Sequence, residues 1–227
     1  MDERELALGI PQRHFVPPDG CSDLILRFSR GRLVDAVVQE PTLVAEVVEI
    51  AAEDALFGVR FALGTGGALL SLRETLEQDV RRLFASTEPE DCESVLRRLL
   101  TYSGQVLERS GRGRPEWLCE VLSLAQKRFG SVTVAELARH AGLSERTLHR
   151  AFGEWVGAGP KQLLRTLRIQ EAVRRVPLAT SLADVAADLG FADQAHLTRE
   201  MSALWGTSPG RLRGASDSFK TPGDSPP

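Results

Sequence analysis

Apolar positions change their spacing along the chain. From Asp23 to Phe28, Leu24, Leu26 and Phe28 share one face; further on, Phe57, Val59, Phe61 and Leu63 alternate with Gly58, Arg60 and Ala62. Strict alternation is the period of a half-buried strand. The β-branched run from Thr42 to Ile50 predicts another strand, and Pro17-Pro18-Asp19-Gly20 and Pro41 mark turns. From about Gly66 the period lengthens: Leu69, Leu70, Leu72, Leu76, Val80, Leu83 and Phe84 suit a helix, and Pro89 interrupts before a second helix around Cys92 to Glu108. Ser110 to Pro115 reads Ser-Gly-Arg-Gly-Arg-Pro, a linker. The predicted division is therefore a short β-rich region at 1–65, a helical linker or dimerisation region at 66–110, an all-helical domain at 115–213 and a disordered Gly/Ser/Pro tail at 214–227. The fold class expected is α+β.

The helical domain repeats itself. Val134-Ala135-Glu136-Leu137-Ala138 with Gly142 matches Leu182-Ala183-Asp184-Val185-Ala186 with Gly190, at an offset of 48 residues. After the glycines the offset becomes 49, and Leu148, Arg150, Phe152, Gly157, Pro160 and Leu163 align with Leu197, Arg199, Met201, Gly206, Pro209 and Leu212. Each copy reads as helix, glycine turn, helix, which is the helix-turn-helix grammar. Thr133 with Glu136, and Ser181 with Asp184, have capping-box spacing. Gly142 and Gly190 end the first helices, and Ser144 and Asp193 stand at the N-caps of the second.

A helical wheel assigns chemistry to the second helices, predicted over about 144–155 and 193–204. Leu148, Ala151, Phe152 and Trp155 fall opposite Arg146, His149 and Arg150; in the second copy Leu197, Met201 and Leu204 turn inward while Ala195, Thr198 and Arg199 turn outward. Gln194 and His196 flank that outward face. Arginine forks onto guanine O6 and N7 and glutamine onto adenine N6 and N7, so such faces suit base edges in a major groove. The base-reading candidates are Arg146, His149, Arg150, Gln194, His196 and Arg199. Ser144, Thr147, Lys161, Arg165 and Thr198 are candidates for the DNA backbone. Charge distribution permits this. The net charge is −3, yet residues 1–114 balance at −5 and residues 115–213 at +3.

The motifs Leu137-Ala138, Gly142-Leu143-Ser144, Leu148-His149-Arg150-Ala151-Phe152 and Gly159-Pro160, then Gly190-Phe191, His196-Leu197-Thr198-Arg199 and Gly206-Thr207-Ser208-Pro209, resemble the DNA-binding domain of the AraC/XylS family of transcription regulators. The resemblance covers about residues 115–213. It implies that a central helix near Lys161 to Val176 holds the two units so that both enter the major groove on one DNA face. Met201 stands where the family usually has Phe, Leu212 where an aromatic is usual, and Ala195 where a longer reader is common. Pro18-Asp19-Gly20-Cys21-Ser22-Asp23-Leu24 and Gly58-Val59-Arg60-Phe61 resemble, more loosely, the β-rich sensor domains attached to some members. A DNA-binding transcription regulator is thus expected, its partners being promoter or operator DNA, with a small-molecule effector at the N-terminal region, RNA polymerase and a second copy of the chain as further partners.

Two rival readings compete with this one. A protein-binding anti-activator would keep the fold without DNA contact. A cupin-like metal enzyme would need several His with a carboxylate, but of four His only His14 lies outside the helical repeat, and no P-loop, nucleophile elbow or dinucleotide fingerprint occurs. Gly64-Thr65-Gly66-Gly67 lacks the Lys-Ser/Thr of a phosphate loop. No enzymatic activity, metal or cofactor is expected. Cys21, Cys92 and Cys119 are widely spaced, without a disulfide or zinc pattern, and no apolar run reaches the length of a membrane span. Together with Asp2, Glu3 and Glu5 at the start, this suggests a cytoplasmic location.

Overall fold

A β-hairpin begins the first core. β2 (Asp23–Ser29) pairs antiparallel with β3 (Arg32–Gln39) across a turn whose central residues Arg30 and Gly31 both have positive φ, 49° and 76°. That conformation matches strand twist, and glycine supplies half of it without strain. β2 also pairs with β5 (Asp54–Arg60), giving the order β3-β2-β5, while β1 (Gln12–Val16) and β4 (Glu46–Ile50) form a separate two-stranded ribbon. The computed structural model describes residues 12–85, 92–109 and 114–214. Most of the expected linker, the interruption at Pro89 and the tail after Gly214 lie outside the described residues.

The sheet uses its faces unequally. Leu24, Leu26, Phe28, Ala36, Val38, Phe57 and Val59 are buried against α1 (Gly66–Ser71), α2 (Arg73–Phe84) and α3 (Cys92–Arg109), joined by Leu76, Val80, Phe84, Val95 and Leu99. The opposite face carries Ile25, Val37 and Leu56 and, with the β1–β4 ribbon, bounds a cleft of about 680 Å³. β3 lies outside the predicted strands because it is apolar on both faces, which blurs its period. The register skips Val34 at a bulge, leaving that side chain 48% exposed. The strand expected over Thr42–Ile50 is shorter, Glu46–Ile50, and the one expected over Phe57–Leu63 ends at Arg60. The single helix expected from Gly66 is broken at Leu72 into α1 and α2.

Helices fill the remainder: α4 (Glu116–Lys127), α5 (Val134–His140), α6 (Glu145–Ala151), α7 (Pro160–Arg175), α8 (Leu182–Asp188), α9 (Gln194–Trp205) and α10 (Pro209–Gly214). α7 carries two cores. Its first half (Leu163, Leu164, Leu167) packs with α4, Leu137, Leu148 and Phe152; its second half (Ile169, Ala172), with Val176 at its C-cap, packs with Val185, Leu197, Met201 and Trp205. Pieces of the N-terminal half join both, Leu63 and Leu43 the one and Phe15 the other. Among the described residues no helix is long and apolar enough to cross a membrane.

Candidate nucleic-acid interface

The two repeats close their turns with the same bonds. In the first, the Gly142 N–H donates to Arg139 O at 3.1 Å and Leu143 N–H to Ala138 O at 2.9 Å; in the second, Gly190 donates to Ala187 O at 3.0 Å and Phe191 to Ala186 O at 2.8 Å. This is the Schellman pattern, and it needs the positive φ of Gly142 (65°) and Gly190 (71°). Thr133 and Glu136 form a full capping box ahead of α5, and those bonds hold the Glu136 carboxyl below its usual range. Ser181 caps α8 by accepting from Asp184 N–H at 3.2 Å, but the return bond expected of Asp184 is not made. Its side chain is one methylene shorter than Glu.

Entry to the second helices is also fixed by side chains. Ser144 accepts from Thr147 N–H at 3.2 Å, with the two hydroxyls 2.8 Å apart, and Asp193 accepts from His196 N–H at 2.6 Å. The predicted helix over 144–155 is in two parts: α6 ends at Ala151, and a wider π turn spans Phe152–Val156 before Gly157 at φ 78°. Leu148 and Phe152 are fully buried, as are Leu197 and Met201. Met201 therefore does the work of the usual aromatic by filling the core.

Outward, Arg146, His149, Arg150, Gln194, Ala195 and Arg199 are exposed. Arg146, Arg150 and Arg199 make no hydrogen bond or ion pair with any described residue, so their forks are open to an external acceptor. The other candidates are differently placed. His196 is half-buried, its ring edge-on to Phe191 at 5.4 Å, and its Nδ1 accepts from Ala192 N–H at 3.2 Å. Ala192 is the extra residue of the second turn, so His196 satisfies the backbone group that the insertion adds, leaving its Nε2 as the donor. Thr198 donates its hydroxyl to Gln194 O at 2.9 Å. Lys161 is exposed and unpaired among the described residues, whereas both fork nitrogens of Arg165 are on Glu200, at 2.8 and 3.0 Å. That pair raises the Arg165 pKa and lowers that of Glu200, in each case chiefly through the hydrogen bond.

Sequence reasoning missed the residue that ties the units together. Arg168 donates to Gly130 O at 2.9 Å, reaches Gly190 O at 3.5 Å and lies 5.5 Å from the Phe191 ring centroid. Burial lowers its pKa. Ser131 adds a bond to Leu189 O at 2.9 Å. A Cβ on Gly130 would stand 2.1 Å from Leu164 O, so only glycine allows this approach. No clear signal in the sequence marks it, because Arg165 and Glu171, three residues away on either side, are charged as well.

In the cleft, Arg60 makes a bidentate pair with Asp23, at 3.0 Å for both bonds, and a 2.6 Å contact with Asp19. These contacts hold its guanidinium above its usual pKa, the Asp23 bonds being the largest influence. His14 lies on the ribbon at the cleft wall. Among the described residues no group of three or more His, Cys, Asp or Glu is arranged to hold a metal ion.

A family model described as a helix-turn-helix domain matches residues 137–215. The transcriptional activator NphR of Rhodococcus sp is 38% identical over 84 residues, 36% of this chain and 24% of that protein. The HTH-type transcriptional regulator GlxA of Rhizobium meliloti (strain 1021) is 30% identical over 116 residues, 51% of this chain and 36% of that protein. The crystal structure of the DNA-binding domain of AdpA, a global transcriptional factor in complex with a target DNA, is 31% identical, with a TM-score of 0.42 over 44% of this chain and 93% of that one. The chain spans between 24% and 36% of the length of the curated relatives it matches.

Proposed function

From a C-terminal segment that is a helix-turn-helix domain of the AraC type, we propose that the chain is a sequence-specific DNA-binding transcription regulator whose two reading helices, α6 and α9, enter successive major-groove segments on one face of the duplex. One observation carries the reading: each helix follows the same glycine turn, buries one stripe, and leaves unpaired guanidiniums exposed, Arg146 and Arg150 in one and Arg199 in the other. Arg146, His149, Arg150, Gln194 and Arg199 read base edges in this proposal. His196 assists through Nε2. Ser144, Thr147, Lys161 and Thr198 meet the sugar-phosphate backbone, while Arg165 holds Glu200 away from phosphate rather than touching phosphate itself. Residues 115–213 act as the DNA-binding unit. The cleft, apolar across Ile25, Val37 and Leu56 and charged at its ends, takes a small-molecule effector.

Selecting genomic fragments bound by the full chain, then measuring affinity against salt, tests this. Affinity should fall steeply as salt rises, through counterion release. Arg146→Ala should lose about 1–3 kcal/mol of discrimination at one base position, whereas Lys161→Ala should weaken every sequence alike. An equal loss at all sequences from Arg146→Ala would overturn the base-reading role. Failure to select any bound fragment would instead favour an anti-activator that meets protein.

A further inference from the structure

α7 is gripped on two sides. On one, Arg168 and the nearby Ser131 tie the first unit to the turn of the second. On the other, Gln170 donates to Pro18 O at 3.0 Å, the Thr166 hydroxyl is shared between Leu43 O at 3.3 Å and Gln162 O of its own helix at 3.2 Å, and Gly20 sits so close to Leu163 that a Cβ there would stand 2.7 Å from it. Thr166 and Gln170 are each two residues from Arg168, about 200° around the helix, so these grips face nearly opposite directions.

The N-terminal half then extends past α7 both ways. Toward the first unit, Gly66 and Gly67 of α1 abut the π turn behind α6; a Cβ would lie 2.4 Å from Val156 O and 2.1 Å from Glu154 O. Toward the second unit, Ala45 N–H donates to Leu204 O at 2.7 Å, and Phe15 packs on Trp205 with centroids 5.4 Å apart, both at the end of α9. The two extensions belong to different parts of that half. α1 shares a core with the three-stranded sheet; Phe15 is in the β1–β4 ribbon, and Ala45 leads into it. The cleft lies between them.

We propose that the N-terminal half is a brace that fixes the pose of α6 relative to α9, so that Phe15 and its neighbours, which meet no DNA, decide which half-site spacing the protein accepts. The bonds from Arg168 and Ser131 lie on one side of α7; a second fastening on the opposite face restricts rotation of the units about that side. Whatever fills the cleft bears on the ribbon and hence on the angle of α9. The proposal rests on the two-helix reading above.

The test uses the full chain as parent, Phe15→Ala, Phe15→Ala with Gln170→Ala, and Phe15→Tyr as the conservative variant. Duplexes carry the selected site with its half-sites at the native spacing or moved by a few base pairs, or one half-site alone. Phe15→Ala should reduce discrimination between spacings by between about 2- and 12-fold, the size expected for losing one aromatic pair. Affinity for a single half-site should not change, the double variant should lose more, and Phe15→Tyr should restore the parent's behaviour. Independently of DNA, dipolar distances between spin labels placed as unnatural amino acids at the exposed Arg139 and Ala187 should broaden in both alanine variants. Unchanged distance distributions with unchanged spacing preference would overturn the brace. If the parent binds one and two half-sites equally, the two-helix reading fails, and the label distances still decide whether the brace exists.

Discussion

Alanine at Gly67 and alanine at Gly104 should move stability in opposite directions, although both glycines lie within helices. Helix propensity alone predicts a gain of about 0.8–1 kcal/mol at each. At Gly104 a Cβ meets nothing within 4 Å, so the full gain should appear. At Gly67 the new methyl would stand 2.1 Å from Glu154 O, 2.5 Å from its carbonyl carbon and 2.9 Å from Gly153 O. These are backbone atoms, which cannot rotate aside as a side chain can. Restoring ordinary contact requires α1 and the π turn to separate by about 1 Å or more, since carbon contacts settle near 3.5 Å. Overpacking typically removes about 1–3 kcal/mol, and two facing backbones put this site at the upper end. Less about 1 kcal/mol of propensity, the net loss is about 2 kcal/mol. For a chain of this size the thermal midpoint should fall by about 4–8 °C in Gly67→Ala and rise by about 2–4 °C in Gly104→Ala. Differential scanning calorimetry reads both. A rise in both variants would refute the close approach of α1 to the π turn.

Further outcomes follow from three particular groups. Arg168→Met keeps the apolar stem but strips Gly130 O of its donor, so the urea midpoint should fall by the equivalent of about 1–3 kcal/mol; an unchanged midpoint would show that the strut adds nothing. Glu200 has a folded-state pKa below its unfolded one, so its contribution is present above the unfolded value and is lost as pH falls through the folded one. The stability deficit of Glu200→Gln relative to the parent should thus be seen at pH 7 and shrink in acid, and a deficit independent of pH would contradict the Arg165 pairing. Burial, followed by the Asp19 charge, pushes the Cys21 thiol from 9.0 up to about 11. Its thiolate fraction near neutral pH should be about 100-fold below that of an ordinary thiol, so peptide mapping after brief alkylation should show exposed Cys119 modified before Cys21. Because the folded state keeps the Cys21 proton, this group also lowers stability as pH rises from 9.0 toward about 11.

The C-terminal half was legible because its signals are local. Capping spacing, a glycine that accepts positive φ and a helical stripe such as Leu148 with Phe152 each act within a few residues, and their repetition at offsets of 48 and 49 made them mutually consistent. The N-terminal half was less so. β3 is apolar on both faces because one meets the core and the other the cleft, and a period-2 pattern disappears when both faces are covered. Even within the repeat, spacing did not reveal that His196 serves the inserted Ala192 or that Arg165 is taken by Glu200, since each assignment depends on a neighbour brought close by folding.

By itself, then, the chain determined where the helices of the repeat start, which stripes are buried and which residue types are offered outward, because those follow from backbone preference and from sequestering apolar surface. Only the tertiary structure decided which of the offered side chains remain free, and that Gly67, Phe15 and Ala45 bind the N-terminal half to both repeats. Contacts between residues more than 80 apart, such as Gly67 with Glu154, leave no period in a sequence; they arise where two finished surfaces happen to fit.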